Sequence, residues 1–107
     1  MRPPQHPPEP SPKPFTVNIE LQEHPIFEGI SLTCKNVYIH RSDADKKKIL
    51  YLYGVNFLEV PFIEIAALMK FVQNGIPVKV DFGKDSDIFS CFIKMVDTSA
   101  KQIKFEC

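Results

Sequence analysis

A chain of 107 residues has the length of one domain, and its 44% hydrophobic content, with 9 Phe, is ample for a single core. The 13 basic and 13 acidic side chains cancel to a formal net charge of +0, which excludes nucleic-acid binding through a whole-molecule field and confines any such binding to a local patch. No stretch approaches the roughly 18–20 continuous apolar residues of a membrane span; the N-terminus has no apolar signal region; and Cys34, Cys91 and Cys107, an odd number without a CxxC pair, read as buried thiols of a cytosolic protein.

Residues 1–14, MRPPQHPPEPSPKP, hold seven of the ten prolines and almost nothing apolar, so they read as a disordered leader. A polyproline ligand for an SH3 or WW groove is the alternative to a plain solvated leader. The domain then occupies residues 15–107. Phe15 to Leu21 alternates apolar and polar residues, the period of a half-buried strand. After a turn over 22–25 the alternation resumes, with Ile30, Leu32 and Cys34 on one face. It then slips phase so that Val37 and Ile39 become the inward pair, and a bulge at Lys35-Asn36 accounts for the slip. A polar hairpin turn over 40–48 leads into an apolar strand with Ile49, Tyr51, Tyr53, Val55 and Phe57 on one side and Leu50, Leu52 and Leu58 on the other. Such a strand is expected in the middle of a sheet and covered on both faces.

Pro61 suits a first helical position, the run from Phe62 to Gln73 has no Gly or Pro, and Asn74-Gly75 is a left-handed stop. On a helical wheel Phe62, Ile65, Ala66, Leu68, Met69 and Val72 form a broad apolar arc. Ile63, Ala67 and Phe71 lie outside it as a second apolar strip, which we read as a contact surface for another subunit or a protein partner. Beyond the helix, Val78, Val80 and Phe82 alternate in a strand, Ile88 to Val96 is a strand apolar on both faces, Asp97 to Lys101 turns, and Ile103 and Phe105 alternate in a closing strand. The expected fold is mainly β with one α-helix: a small six-stranded antiparallel β-barrel of order β-β-β-α-β-β-β.

The run from Tyr53 to Val60, YGVNFLEV, preceded by a strand and followed at once by a helix, resembles the YGVxFL-type closing strand and C-terminal helix of PilZ domains. The Ile30 to His40 segment sits where that family also has a strand. Residues 76–107 look like the opening strands of such a domain, or like the companion β domain that precedes PilZ in flagellar brake proteins. Asp97 and Ser99 match the family's D/NxSxxG nucleotide-binding pattern, with Gln102 in place of its Gly. The order of the two parts is permuted relative to the family, and the phosphate- and guanine-gripping RxxxR motif is missing, since the chain's only arginines are Arg2 and Arg41. The resemblance therefore implies a bacterial regulatory module linked to motility, pili or cyclic di-GMP signalling that acts through protein contacts. Cyclic di-GMP binding by Arg41, Asp97 and Ser99 is the competing expectation.

Nothing points to an enzyme. GxSxG, HExxH, Walker and dinucleotide-binding patterns are all missing, and four glycines leave no phosphate-cradling loop. No cofactor and no metal are expected; His24, His40 and Cys34 do not have the spacing of a zinc site. Lys46, Lys47 and Lys48 beside Tyr51 and Tyr53 offer a third reading, a small barrel that binds single-stranded nucleic acid. It is weakened by Asp43 and Asp45 and by the shared face of the tyrosines with Ile49 and Val55, which points the rings inward.

Overall fold

The computed structural model describes residues 13–23, 29–42, 44, 46–83 and 87–107. The leader over residues 1–12, with its SH3 or WW reading, lies outside them, as do His6 and His24. The elements in chain order are β1 (Phe15–Leu21), β2 (Ile30–Cys34), β3 (Asn36–Ser42), β4 (Lys47–Tyr53), a 3-10 turn (Phe57–Glu59), the helix α1 (Phe62–Asn74), β5 (Pro77–Asp81), β6 (Ile88–Asp97) and β7 (Gln102–Glu106). The strands form one antiparallel sheet of order β2-β1-β5-β6-β7-β4-β3. No helix among the described residues is long and apolar enough to cross a membrane.

The chain is thus mainly β with one helix, but the six-stranded barrel needs correction. The segment expected as one bulged strand is two strands, because its first half pairs with β1 and its second half with β4, at opposite ends of the sheet. No straight strand follows both partners, so the chain breaks step at Lys35. β2 and β3 are the two outer strands, and no ladder closes the sheet. The order is not a plain meander either: β5 returns from the helix to pair with β1, and β7 pairs with β4. Because β2 and β3 are one residue apart, the sheet still has to curl until its two edges meet at a corner. Lys35 donates its backbone N–H to Tyr53 O at 3.0 Å there, Asn56 to Thr33 O at 2.9 Å, and Val55 to Lys101 O at 3.0 Å.

The curled sheet has one apolar inner face. Val17, Ile19, Ile30, Leu32, Cys34, Leu50, Leu52, Val78, Val80, Cys91, Ile93, Ile103 and Phe105 are all buried there. Leu68 and Phe71 of α1 join them, the helix packing chiefly on β6. β6 looked apolar on both faces because a bulge between Ile93 and Met95 shifts its register, so that Ile93 and Val96 pair with the inward Phe105 and Ile103. β4 is flanked by β7 and β3, as expected of a central strand, yet it is covered on one face only. The single helix lies over the leucine side, leaving Ile49, Tyr51 and Tyr53 outside. The strand also ends earlier than expected, at Gly54 (φ +67°). Val55, Phe57 and Val60 then turn back into the core.

Helix α1 starts after Pro61, whose carbonyl accepts from Glu64 N at 2.9 Å and Ile65 N at 3.1 Å, and it stops at Gly75 in the left-handed conformation (φ 60°). The stop is where it was expected, whereas Pro61, expected as the first helical residue, is the cap one position before it. The cysteine reading is corrected: Cys91 and Cys107 form a disulfide with Cα atoms 4.1 Å apart, tying β6 to the end of β7, and only Cys34 is a free thiol. Hairpin register, which no short sequence spacing announces, brings them opposite each other.

Gly54 and Gly75 both hold left-handed backbone, but a Cβ at Gly54 would come within 2.8 Å of Lys35 Cβ, whereas Gly75 has nothing within 4 Å. Gly75→Ala should therefore cost about 1 kcal/mol. Gly54→Ala should cost about 2–3 kcal/mol, since strain is joined by displacement of the strand corner. Urea denaturation of the two variants measures the difference.

Candidate functional site

The buried arc of α1 is centred on Leu68, with Phe71 and the partly buried Ile65 and Val72 beside it. The opposite arc carries Phe62, Ile63, Ala66, Lys70 and Gln73, all exposed. The strip Ile63, Ala67 and Phe71 is accordingly split. Phe71 is 7% exposed and belongs to the core, Ala67 is partly buried against it, and Ile63 is 77% exposed. The arc expected inward, from Phe62 to Val72, is rotated relative to the buried one, because apolar residues on nearly every side of the helix leave its orientation undetermined. Phe62 is in fact 84% exposed, and Leu58, four residues before it on the 3-10 turn, is 95% exposed. Leu58, Phe62 and Ile63 make a projecting apolar corner at the start of the helix, flanked by the exposed Glu59 and Pro61.

The residues proposed for a cyclic dinucleotide are not all gathered. Asp97 ends β6 and Ser99 follows in the next turn, where Asp97 Oδ1 accepts from Ala100 N at 2.9 Å and so shapes the turn. Asp97 shares a cross-strand row with Gln102, Tyr53 and Asn36. Arg41 lies five positions further along β3, about 16 Å at the rise of a strand, and points to the other side of the sheet, opposite Lys48. Among the described residues no three His, Cys, Asp or Glu side chains gather as metal ligands. Cys34 faces inward while His40 faces outward and is exposed. Burial pushes the Cys34 thiol up to about 12, so it stays protonated and unreactive at neutral pH.

The tyrosines correct the sequence reading most sharply. Tyr38 pairs with Tyr51 across β3 and β4, and Tyr51 and Tyr53 alternate with Leu50 and Leu52, so leucines entering the core send the rings outward. Tyr51 and Tyr53 stack with centroids 6.0 Å apart, Tyr38 lies 6.2 Å from Tyr51, and Tyr38 stacks on His40 at 6.5 Å. This outward aromatic row was missed, although strict alternation with leucines was a signal for it. The lysine triplet, by contrast, does not form one patch. Lys46 sits in the turn, Lys47 Nζ is 3.9 Å from Glu106, and Lys48 Nζ lies 5.0 Å over the Phe89 ring.

Comparison with protein-family models, with curated proteins and with solved structures gives no match.

The inward Cys34 makes a direct check of the core. At neutral pH iodoacetamide should leave it unmodified in the folded protein and alkylate it after denaturation. The ordinary thiol value of 9.0 applies to the unfolded chain, so unfolding releases a proton between there and about 12, and stability should fall as pH rises through that window. A urea midpoint unchanged across it would contradict the burial of this thiol.

Proposed function

We propose that this protein is a non-enzymatic interaction module that associates with a second copy of itself through the corner of Leu58, Phe62 and Ile63. The observation that carries this reading is the exposure of those three large apolar side chains, at 95%, 84% and 77%, on adjoining turns. Burying each contributes roughly 1.5–3 kcal/mol, set against an association cost of several kcal/mol or more. The contact is therefore modest and concentration-dependent. The formal net charge of +0 favours like copies meeting, since no long-range repulsion separates them. PilZ-like members without the arginine motif, which the Tyr53–Val60 run resembles, are likewise expected to act through protein contacts. Cyclic di-GMP binding is not part of the proposal, because Arg41 and the Asp97 turn do not converge. The cytosolic assignment is not carried forward either: a Cys91–Cys107 disulfide persists where thiols are not kept reduced.

Sedimentation velocity over a range of concentrations tests the reading. The wild-type chain should shift from monomer to dimer, and Phe62→Glu or Ile63→Glu should give folded monomers at every concentration. Phe71→Glu should instead unfold the chain, as a charge placed in the core does. A wild-type chain that remains monomeric throughout overturns self-association.

A further inference from the structure

The outer face of the sheet carries a second surface, distinct from the helix corner. Tyr38, Tyr51 and Tyr53 run across β3 and β4 with neighbouring centroids 6.0–6.2 Å apart, His40 extends the row, and Tyr38 and Tyr53 are 53% and 38% exposed. Tyr51, half-buried, is stacked with Tyr53 and has Lys104 over its ring, so the exposed surface of the row is that of Tyr38 and Tyr53. Lys104, on the neighbouring β7 and opposite Tyr51, holds its Nζ 5.9 Å from that ring. Just past Tyr53, where β2 turns into β3, lies a hollow of about 250 Å³ whose lining includes Thr33, Lys35, Asn56 and Lys101. Neither lysine forms an ion pair with a described residue; the salt bridge among those residues is that of Lys47 with Glu106. Of the acids nearby, Glu106 is 3.9 Å from Lys47, while Asp97, in the cross-strand row of Tyr53, accepts from the neutral N–H of Ala100 and forms no ion pair among the described residues.

Aromatic rings on an open sheet face, bordered by lysines and followed by a lysine-lined hollow, match the requirements of an anionic polymer with flat, unpaired rings. We infer that this face binds single-stranded nucleic acid, with bases stacked on the exposed Tyr38 and Tyr53, which Tyr51 supports from between them, and phosphates met by Lys104, Lys35 and Lys101. Stacking recognises any base through its π face and is closed to bases that are already paired, so single strands are bound without strong sequence preference and duplexes poorly. With a net charge of +0 the long-range field gives no help, so rings and local lysines must supply the affinity together. Lys35 also anchors the corner through its backbone and lays its stem over Gly54, so that its ammonium end is the part left to meet a phosphate.

Fluorescence anisotropy with a labelled oligothymidylate, an oligouridylate and a duplex of equal length at low salt tests the assignment on the full chain. The single strands should bind saturably and more tightly than the duplex. Tyr38→Ala and Tyr53→Ala, each confirmed folded by circular dichroism, should weaken binding about tenfold. The double variant Lys35→Ala/Lys101→Ala should weaken it and flatten its salt dependence. Lack of saturable binding, equal binding of the duplex, or tyrosine variants that bind as tightly as the wild-type chain would overturn the assignment. So would tighter binding of an acidic oligosaccharide, which would reassign the rings to sugars.

Discussion

The structure depends on the corner where β2 becomes β3. One step at Lys35 carries the chain from the partner at one end of the sheet to the partner at the other, and the hydrogen bonds of Lys35 to Tyr53, Asn56 to Thr33 and Val55 to Lys101 hold the two ends together. Gly54 sits inside this knot, in left-handed backbone and against the Lys35 side chain, where a larger residue would force the strands apart. A flat seven-stranded sheet with one helix would leave much of its apolar face in water. Pulling the edges to one corner wraps that face around itself and α1, burying leucine, isoleucine and valine side chains from six strands in one core.

Because the inner face takes the leucines, other large side chains are left exposed, Val37, Ile39, Ile88 and Phe92 singly and the rest in two groups. Beyond Gly54 the chain re-enters the core through Val55, Phe57 and Val60, and the intervening 3-10 turn throws Leu58 outward beside the first turn of the helix. On the other side of the sheet, pairing of Tyr38 with Tyr51 aligns the tyrosines of β3 and β4 into one row. The exposed apolar side chains bury little within the chain, and the tyrosines gain there only their contacts with one another, so these are the two surfaces on which the proposed contacts are placed. The two are separate in position and in chemistry: one is aliphatic and aromatic with no cation in it, the other is aromatic and bordered by lysines.

Local signals in the sequence were strong where the physics is local. The limits of α1 followed from Pro61 and Gly75, and the strands over Phe15–Leu21 and Gln102–Glu106 followed from alternation. The slip at Lys35 was visible as a change of phase, but Val37 and Ile39, expected inward after it, are 39% and 38% exposed on the outer strand β3, because the choice of β1 or β4 as partner depends on residues far away in the chain. For the same reason the return of β5 to β1 and the pairing of Cys91 with Cys107 were hidden. The candidate surfaces were half legible. Ile63 was identified as outward, whereas Phe71 was misplaced by a rotation of the helix about its axis, a quantity that apolar residues on nearly every side leave undetermined. The tyrosines were assigned inward by assuming a strand covered on both faces, which a single helix in a chain of this size does not provide.

Hydroxyl-radical footprinting read out by mass spectrometry, repeated across protein concentrations, tests most directly whether the Leu58–Ile63 corner is a contact surface. At the lowest concentration Leu58, Phe62 and Ile63 should be oxidised readily and Phe71 hardly at all; as concentration rises the first three should become protected while Tyr38 keeps its reactivity. Equal labelling of Phe62 and Phe71, or labelling of the corner that does not change with concentration, would contradict the account.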